Sequence, residues 1–285
     1  MKKIQGVSYS NDFLETTFSG TIHSVFERTF NIETETNKLM TVATHPIFDG
    51  PQMIKINETS MKYLPLEIGM AVSHVGKRLL IADVLEIDCE EAKVMEELPL
   101  VFSKEKALEI KRHTTIINNY LEINLDTVGF YRKTFPNDVE EVMHRFLMNG
   151  KETLESAFEK DDSSLLEVGV SSLLGLGHGL TPSGDDFLTG FLLVLNSQTD
   201  TNREFTGLLN QLVQENCRKT NAVSQNQLKL AIDKRALKPV QQFLYDLYRG
   251  SSMLTLNKRV EEILRIGSSS GSDMLAGILS AIRLY

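Results

Sequence analysis

From Ser19 to about Glu91 the chain alternates short β-branched and aromatic runs with turn residues. The runs are Gly20 to Phe26, Thr29 to Ile32, Leu39 to Ala43, Gln52 to Ile56, Ala71 to Val75 and Arg78 to Val84. Thr36-Asn37-Lys38, Phe48-Asp49-Gly50-Pro51 and Glu67-Ile68-Gly69 punctuate them. Short strands at this spacing predict a small barrel or sandwich. From Ser103 the period lengthens. Ser103, followed by Lys104, Glu105 and Lys106, reads as a cap opening a helix. Pro136-Asn137-Asp138 opens another, with Val139, Val142, Met143, Phe146 and Leu147 recurring at helical spacing. Further helices are predicted over Leu154 to Phe158, Ser163 to Leu174, Asp186 to Asn196, Arg203 to Lys219, Ser224 to Asp233, Pro239 to Tyr248, Lys258 to Ile266 and Asp273 to Leu284. The expected class is α+β: a β-rich, barrel-like or sandwich module over residues 1–100, packed on a mainly helical domain over 101–285.

Two of these helices differ from the rest. After Asp186 the apolar residues run nearly all the way round, the mark of a helix buried on most sides. The Asp273 helix is apolar mainly on one face, through Met274, Leu275, Ile278 and Leu279. Gly190 and Gly277 hold matching positions in the two, each costing up to about 1 kcal/mol against alanine. Close approach of another backbone would offset that cost.

The match extends backwards. Ser183-Gly184-Asp185-Asp186-Phe187-Leu188-Thr189-Gly190-Phe191-Leu192 aligns without a gap on Ser270-Gly271-Ser272-Asp273-Met274-Leu275-Ala276-Gly277-Ile278-Leu279, at an offset of 87 residues (270 − 183). The shared pattern is S-G-x-D-φ-L-x-G-φ-L, where φ is apolar. The first copy follows a glycine-rich stretch in which Gly175, Gly177 and Gly179 alternate with other residues around His178, as expected of a chain that turns sharply or approaches something closely. Thr181 or Ser183 can cap the helix, Pro182 suits its first turn, and free amides there would attract anions. Two similarly capped core helices would also explain the repeat; a paired ligand site at the two helix starts is the functional alternative.

Composition narrows the chemistry. The net charge is −8 and the basic residues are scattered, so no stripe tracks a phosphate backbone and nucleic acid is not an expected partner. Cys89 and Cys217 form neither a disulfide framework nor a C-x-x-C pair, and no apolar h-region follows Met1, so a reducing cytoplasm is expected. The run from Phe187 to Leu195 falls far short of the roughly 20 residues a spanning helix needs, so no membrane role is expected. Zinc-binding spacings, G-x-S-x-G and the Walker pattern are absent. Asp185 and Asp186 either complement a helix dipole or handle a cation, amide or amine beside an anion. Only Asp186 has an aspartate counterpart, Asp273, and two carboxylates plus phosphate oxygens could hold Mg²⁺. His178 is either a general acid or hydrogen-bond donor or an ordinary loop histidine. His45 and His74, in or beside strands, read as structural. Arg218-Lys219-Thr220-Asn221-Ala222-Val223-Ser224 offers cations and hydroxyls between the two copies, as a solvated loop or as part of the site.

Taken together, GLGHGLTPSGDDFLTG, the later SSSGSDMLAG, the intervening TNAVS and the early FDGPQMIKI resemble a bacterial family that includes the smallest of three subunits of oxamate carbamoyltransferase, from anaerobic allantoin breakdown. The resemblance implies carbamoyl transfer between carbamoyl phosphate and oxamate, giving oxalurate and phosphate or the reverse, with two further subunits as separate proteins. It supplies no residue roles. The residues themselves suggest that the helix ends hold the anionic groups. Gly177, Gly179, Thr181, Ser183, Gly184, Asp185, Thr220, Ser224, Ser269, Ser270 and Gly271 would bind substrate. His178 would donate to the carbamoyl oxygen or phosphate, and Asp186 or Asp273 would position the amide nitrogen. A non-catalytic assembly or sensing subunit, and a stand-alone enzyme on another small carboxylate or amide, are the alternatives.

Overall fold

The computed structural model describes all residues except 14–16, 103, 200–202 and 285, and divides into two compact units, Met1–Glu97 and Leu98–Tyr285. The expected helix cap at Ser103 lies outside the described residues.

The first unit contains β1 (Lys2–Tyr9), β2 (Phe18–Val25), β3 (Thr29–Thr34), β4 (Leu39–Thr44), β5 (Met53–Ile56), β6 (Ala71–Val75), β7 (Arg78–Ile81), β8 (Leu85–Asp88) and β9 (Lys93–Val94). In the order β5-β4-β3-β2-β6-β7-β8-β1, eight strands pair side by side, and the β1–β5 pairing closes the ring into a barrel with β9 appended to β1. Closure removes the exposed edges that an open sheet would present. Its interior is filled by alternate residues, among them Ile22, Phe30, Ile32, Val42, Ile54, Ile56, Leu79, Ile81 and Ile87.

The run Arg78 to Val84 is not one strand. It breaks after Ile81, where Ala82 takes a positive φ of 42°, and β8 begins at Leu85. The alternation gave no sign of β1, whose central pattern of Ile4, Gln5, Gly6 and Val7 is weakly apolar; its pairing with β5, β8 and β9 defines it as a strand. His74 is buried and stacked on Phe18, whereas His45 is exposed.

The second unit is helical: α1 (Ala107–Asn124), α2 (Asp138–Lys160), α3 (Ser163–Leu173), α4 (Ser183–Ser197), α5 (Arg203–Asn216), α6 (Ala222–Ile232), α7 (Lys238–Arg249), α8 (Met253–Ile263) and α9 (Ser270–Arg283). The separate helix expected at Leu154 to Phe158 is the second half of α2, which Asn137 caps by accepting from the Glu140 amide. Gly150 does not interrupt it. A Cβ there would meet Leu173 Cδ2 at 2.8 Å, so this glycine admits α3.

Burial along α2 and α9 does not follow their apolar residues alone. Along α2 the inward stripe is Leu147, Gly150, Leu154 and Ala157, which leaves Val139, Val142 and Phe146 exposed at 67%, 37% and 54%. α9 is buried from Gly271 to Ile282, because α1, α4 and α8 pack around it and its small residues let them close in.

Candidate functional site

The two S-G-x-D segments begin α4 and α9, and these helices cross at their paired glycines. A Cβ on Gly190 would lie 2.0 Å from Met274 O, and one on Gly277 would lie 1.9 Å from Phe187 O. The leading glycines do the same work one helix back: a Cβ on Gly184 would strike Leu173 O at 2.0 Å, and one on Gly271 would strike Ile263 O at 1.9 Å. The repeat therefore encodes one packing unit used twice, each helix seated on the end of its predecessor and against its counterpart.

That packing brings the two helix starts together. Thr181 Oγ1 and Ser270 Oγ are 2.9 Å apart. Behind them Asp186 and Asp273 are both fully buried. Asp186 Oδ1 accepts from Gln227 Nε2 at 2.7 Å, and Asp273 Oδ1 accepts from the Phe130 amide at 3.0 Å. The Oδ2 atom of each has no hydrogen-bond partner among the described residues. Burial raises the Asp186 carboxyl to about 7, while Gln227 and the nearby hydroxyls of Ser270 and Thr181 oppose the rise and the Asp185 charge adds to it. Burial raises Asp273 to about 8; Phe130 and the nearby Ser183 and Ser269 oppose it, and the Asp186 charge pushes further upward. The neighbours are crossed: Ser270 of the second copy lies by Asp186, and Ser183 of the first lies by Asp273.

Asp185 has a different task. Its carboxylate accepts from the Gly175 amide at 2.8 Å and from the Thr220 hydroxyl, anchoring the glycine-rich loop to the segment before α6. Burial raises its pKa too, against bonds from Thr220, Gly175 and Ser224. Asn221 Nδ2 and, more weakly, Ser224 Oγ donate to Leu180 O at 2.7 and 3.5 Å. The TNAVS segment therefore holds the loop down.

Gly175, Gly177 and Gly179 all have positive φ, of 75°, 131° and 90°. Gly177 lies across the α4 start, where a Cβ would come within 2.5 Å of the Ser183 amide. Gly179 is exposed, as is His178, whose Nε2 is 2.9 Å from Glu140 Oε1. Glu140 also receives Arg132 Nη1 at 2.8 Å.

The helix ends are not capped as expected. Pro182 occupies the α4 cap position and Ser269 that of α9, and neither helix has a side-chain cap bond. The Gly184 amide donates to Leu176 O at 2.8 Å and the Gly271 amide to Ile266 O at 3.0 Å, so loop carbonyls already occupy these two donors.

The model of the oxamate carbamoyltransferase subunit AllH matches residues 173–282, and that of the AllH family N-terminal domain matches residues 5–94. The chain belongs to the AllH family. No solved structure matches it. The first of these spans, as matched in the AllH family, runs from the end of α3 through α9 and contains both motif copies, the glycine-rich loop and the TNAVS segment.

Several residues that complete the site gave no signal in the sequence. Phe130 and Gln227 are 143 and 41 positions from the carboxyls they bond. A Cβ on Gly129, at φ 96°, would fall 2.2 Å from Asp273 Oδ1. The isolated glycine was the only available sign that a backbone passes so close.

Proposed function

We propose that this chain forms part of the reaction centre of an oxamate carbamoyltransferase complex, with Asp186 and Asp273 as its proton-handling pair. The observation that carries this reading is the convergence of the two motif copies on two buried carboxyls, each with an oxygen left unpartnered. Such groups cost several kcal/mol unless something offsets them, and purely capping aspartates sit in solvent at helix ends.

The chemistry needs what the pair offers. The amide nitrogen of oxamate forms a bond to the carbamoyl carbon, the bond from that carbon to the phosphate oxygen breaks, and the nitrogen gives up a proton. With carboxyls near 7 and 8, one can stand ionised as the acceptor while the other stands protonated as a donor to the departing phosphate. Thr181, Ser183, Ser269 and Ser270 supply hydroxyls beside the pair, and His178, at the tip of the loop, donates to the carbamoyl oxygen or phosphate. Substrate reaches the acids when the glycine-rich loop lifts, the three positive-φ glycines giving it the backbone freedom to do so. Among the described residues no group of three or more His, Cys, Asp or Glu side chains is placed to hold a metal ion; Mg²⁺ at this site would need the phosphate oxygens of the substrate beside the two carboxylates.

Partner subunits have faces to cover. On α1, Leu108, Ile116, Tyr120 and Ile123 share one side and are exposed, as are Val139 and Phe146 on α2. Apolar stripes of this kind mark interaction surfaces. No described helix is long and apolar enough to cross a membrane, and the free thiols of Cys89 and Cys217 suit a reducing cytoplasm.

A second reading has its own support. The occupied first-turn amides and the complete burial of Asp185, Asp186 and Asp273 suit a scaffold or sensing subunit that never touches substrate. Phosphorolysis of oxalurate by the chain alone, by the other two subunits alone and by all three tests whether the chain is needed, and loss of turnover on Ser183→Ala in the full mixture, with assembly unchanged, separates the proposal from the scaffold reading. The proposal expects turnover only with all three. Full activity of the other two without this chain would refute it, and activity of this chain alone would favour a stand-alone enzyme.

A further inference from the structure

A cleft of about 320 Å³ opens between α1, α2 and α9, and charged side chains of both signs line it. On α1, Lys111, Asn118 and Glu122 face it at helical spacing. The lysine and the glutamate are eleven residues apart, about 16 Å along the axis. Arg283, near the end of α9, and Lys151 of α2 also line it, while Tyr131 belongs to the loop whose Phe130 amide bonds Asp273. Burial, and then the charges of Glu122 and Asp273, raise the pKa of the Tyr131 hydroxyl.

Most polar groups of the cleft are already engaged. Thr114 and Thr115 bond back to α1 carbonyls, and Ser280 donates to Glu155 Oε1 at 2.7 Å. Arg283 pairs with that same carboxylate. Asn118 Nδ2 takes one oxygen of Glu122 at 2.7 Å. The ammonium groups of Lys111 and Lys151 and the Tyr131 hydroxyl have no partner among the described residues, although both lysines are half-buried. Two unpaired cations held against an apolar floor call for an anion, and the free oxygen of Glu122 calls for an N–H donor.

We infer that this cleft binds a small carboxylate that carries N–H groups away from its carboxyl end. The carboxylate lies between Lys111 and Lys151, and the N–H end points to Glu122 and Tyr131. The volume suits such a molecule, at the lower limit of known ligand pockets. An elongated molecule fits better than a compact tetrahedral anion, because Lys111 and Glu122 are set eleven residues apart along α1.

Calorimetric titration of the full chain, alone and in the three-subunit complex, tests this with oxamate, oxalurate, succinate and inorganic phosphate as probes. The probes follow from the carbamoyl-transfer reading, but the site does not depend on it, since binding is measured and not turnover. We expect saturable binding of oxalurate or oxamate, weakened at least tenfold in the Lys111→Gln/Lys151→Gln variant, with an unchanged melting temperature. Glu122→Gln should weaken these ligands and leave succinate unaffected. Because binding is read and not turnover, a failure of the catalytic reading leaves these expected outcomes unchanged. The inference is overturned if neither N–H-bearing carboxylate binds saturably, if the double lysine variant binds normally, or if succinate or phosphate binds as tightly.

Discussion

Asp186 and Asp273 set the behaviour of the molecule at the scale of single residues. Both carboxyls are raised in the fold, to about 7 and about 8, so between pH 4 and 8 the folded protein holds protons that the unfolded chain has released. Stability from these groups is therefore greatest at acid pH, falls as pH rises through the ordinary carboxylate range, and levels off above the folded values. The shifts are worth on the order of 4 kcal/mol for Asp186 and about 6 kcal/mol for Asp273 at pH above 8. Asparagine reproduces the neutral form. Asp273→Asn should accordingly melt higher than wild type at pH 8.5 and show a flatter stability profile from pH 5 to 8.5. A lower melting temperature at pH 8.5 would mean that the ionised carboxylate is what the fold uses.

Between helices, the glycines dominate. Alanine is ordinarily the better helix former by up to about 1 kcal/mol, yet a Cβ at Gly190 or Gly277 would drive into a backbone carbonyl that cannot turn aside. We expect Gly190→Ala and Gly277→Ala each to lose at least about 2 kcal/mol in urea unfolding; stabilisation by either would disprove the crossing. The gapless repeat and its glycines made this element pair legible in the sequence, because close packing leaves a fixed spacing of small residues. The burial of α9 and the exposure of Val139, Val142 and Phe146 were not legible. Both depend on which neighbours lie beyond the helix, and periodicity within one element carries no record of them. For the same reason the short runs pointed to a barrel or sandwich without choosing between them and hid β1, and motif spacing paired Asp186 with Asp273 but gave no sign of Phe130 or Gln227.

At the scale of the whole molecule, the family places this chain among oxamate carbamoyltransferase subunits, and its exposed apolar stripes fit a partner's cover. Tyr120→Glu with Ile123→Glu, or Phe146→Glu alone, should leave the melting temperature of the isolated chain within a few degrees while reducing its retention in the three-subunit complex on size-exclusion chromatography. Undiminished assembly in both variants would move the interface elsewhere. Turnover of the reconstituted complex carrying Asp186→Asn decides whether the paired carboxyls serve the reaction and not merely the packing. The account predicts at least about a hundredfold loss in oxalurate phosphorolysis, roughly 3 kcal/mol of transition-state stabilisation, with no loss of thermal stability. Turnover within threefold of wild type would contradict it and leave Asp186 as part of the packing between α4 and α9.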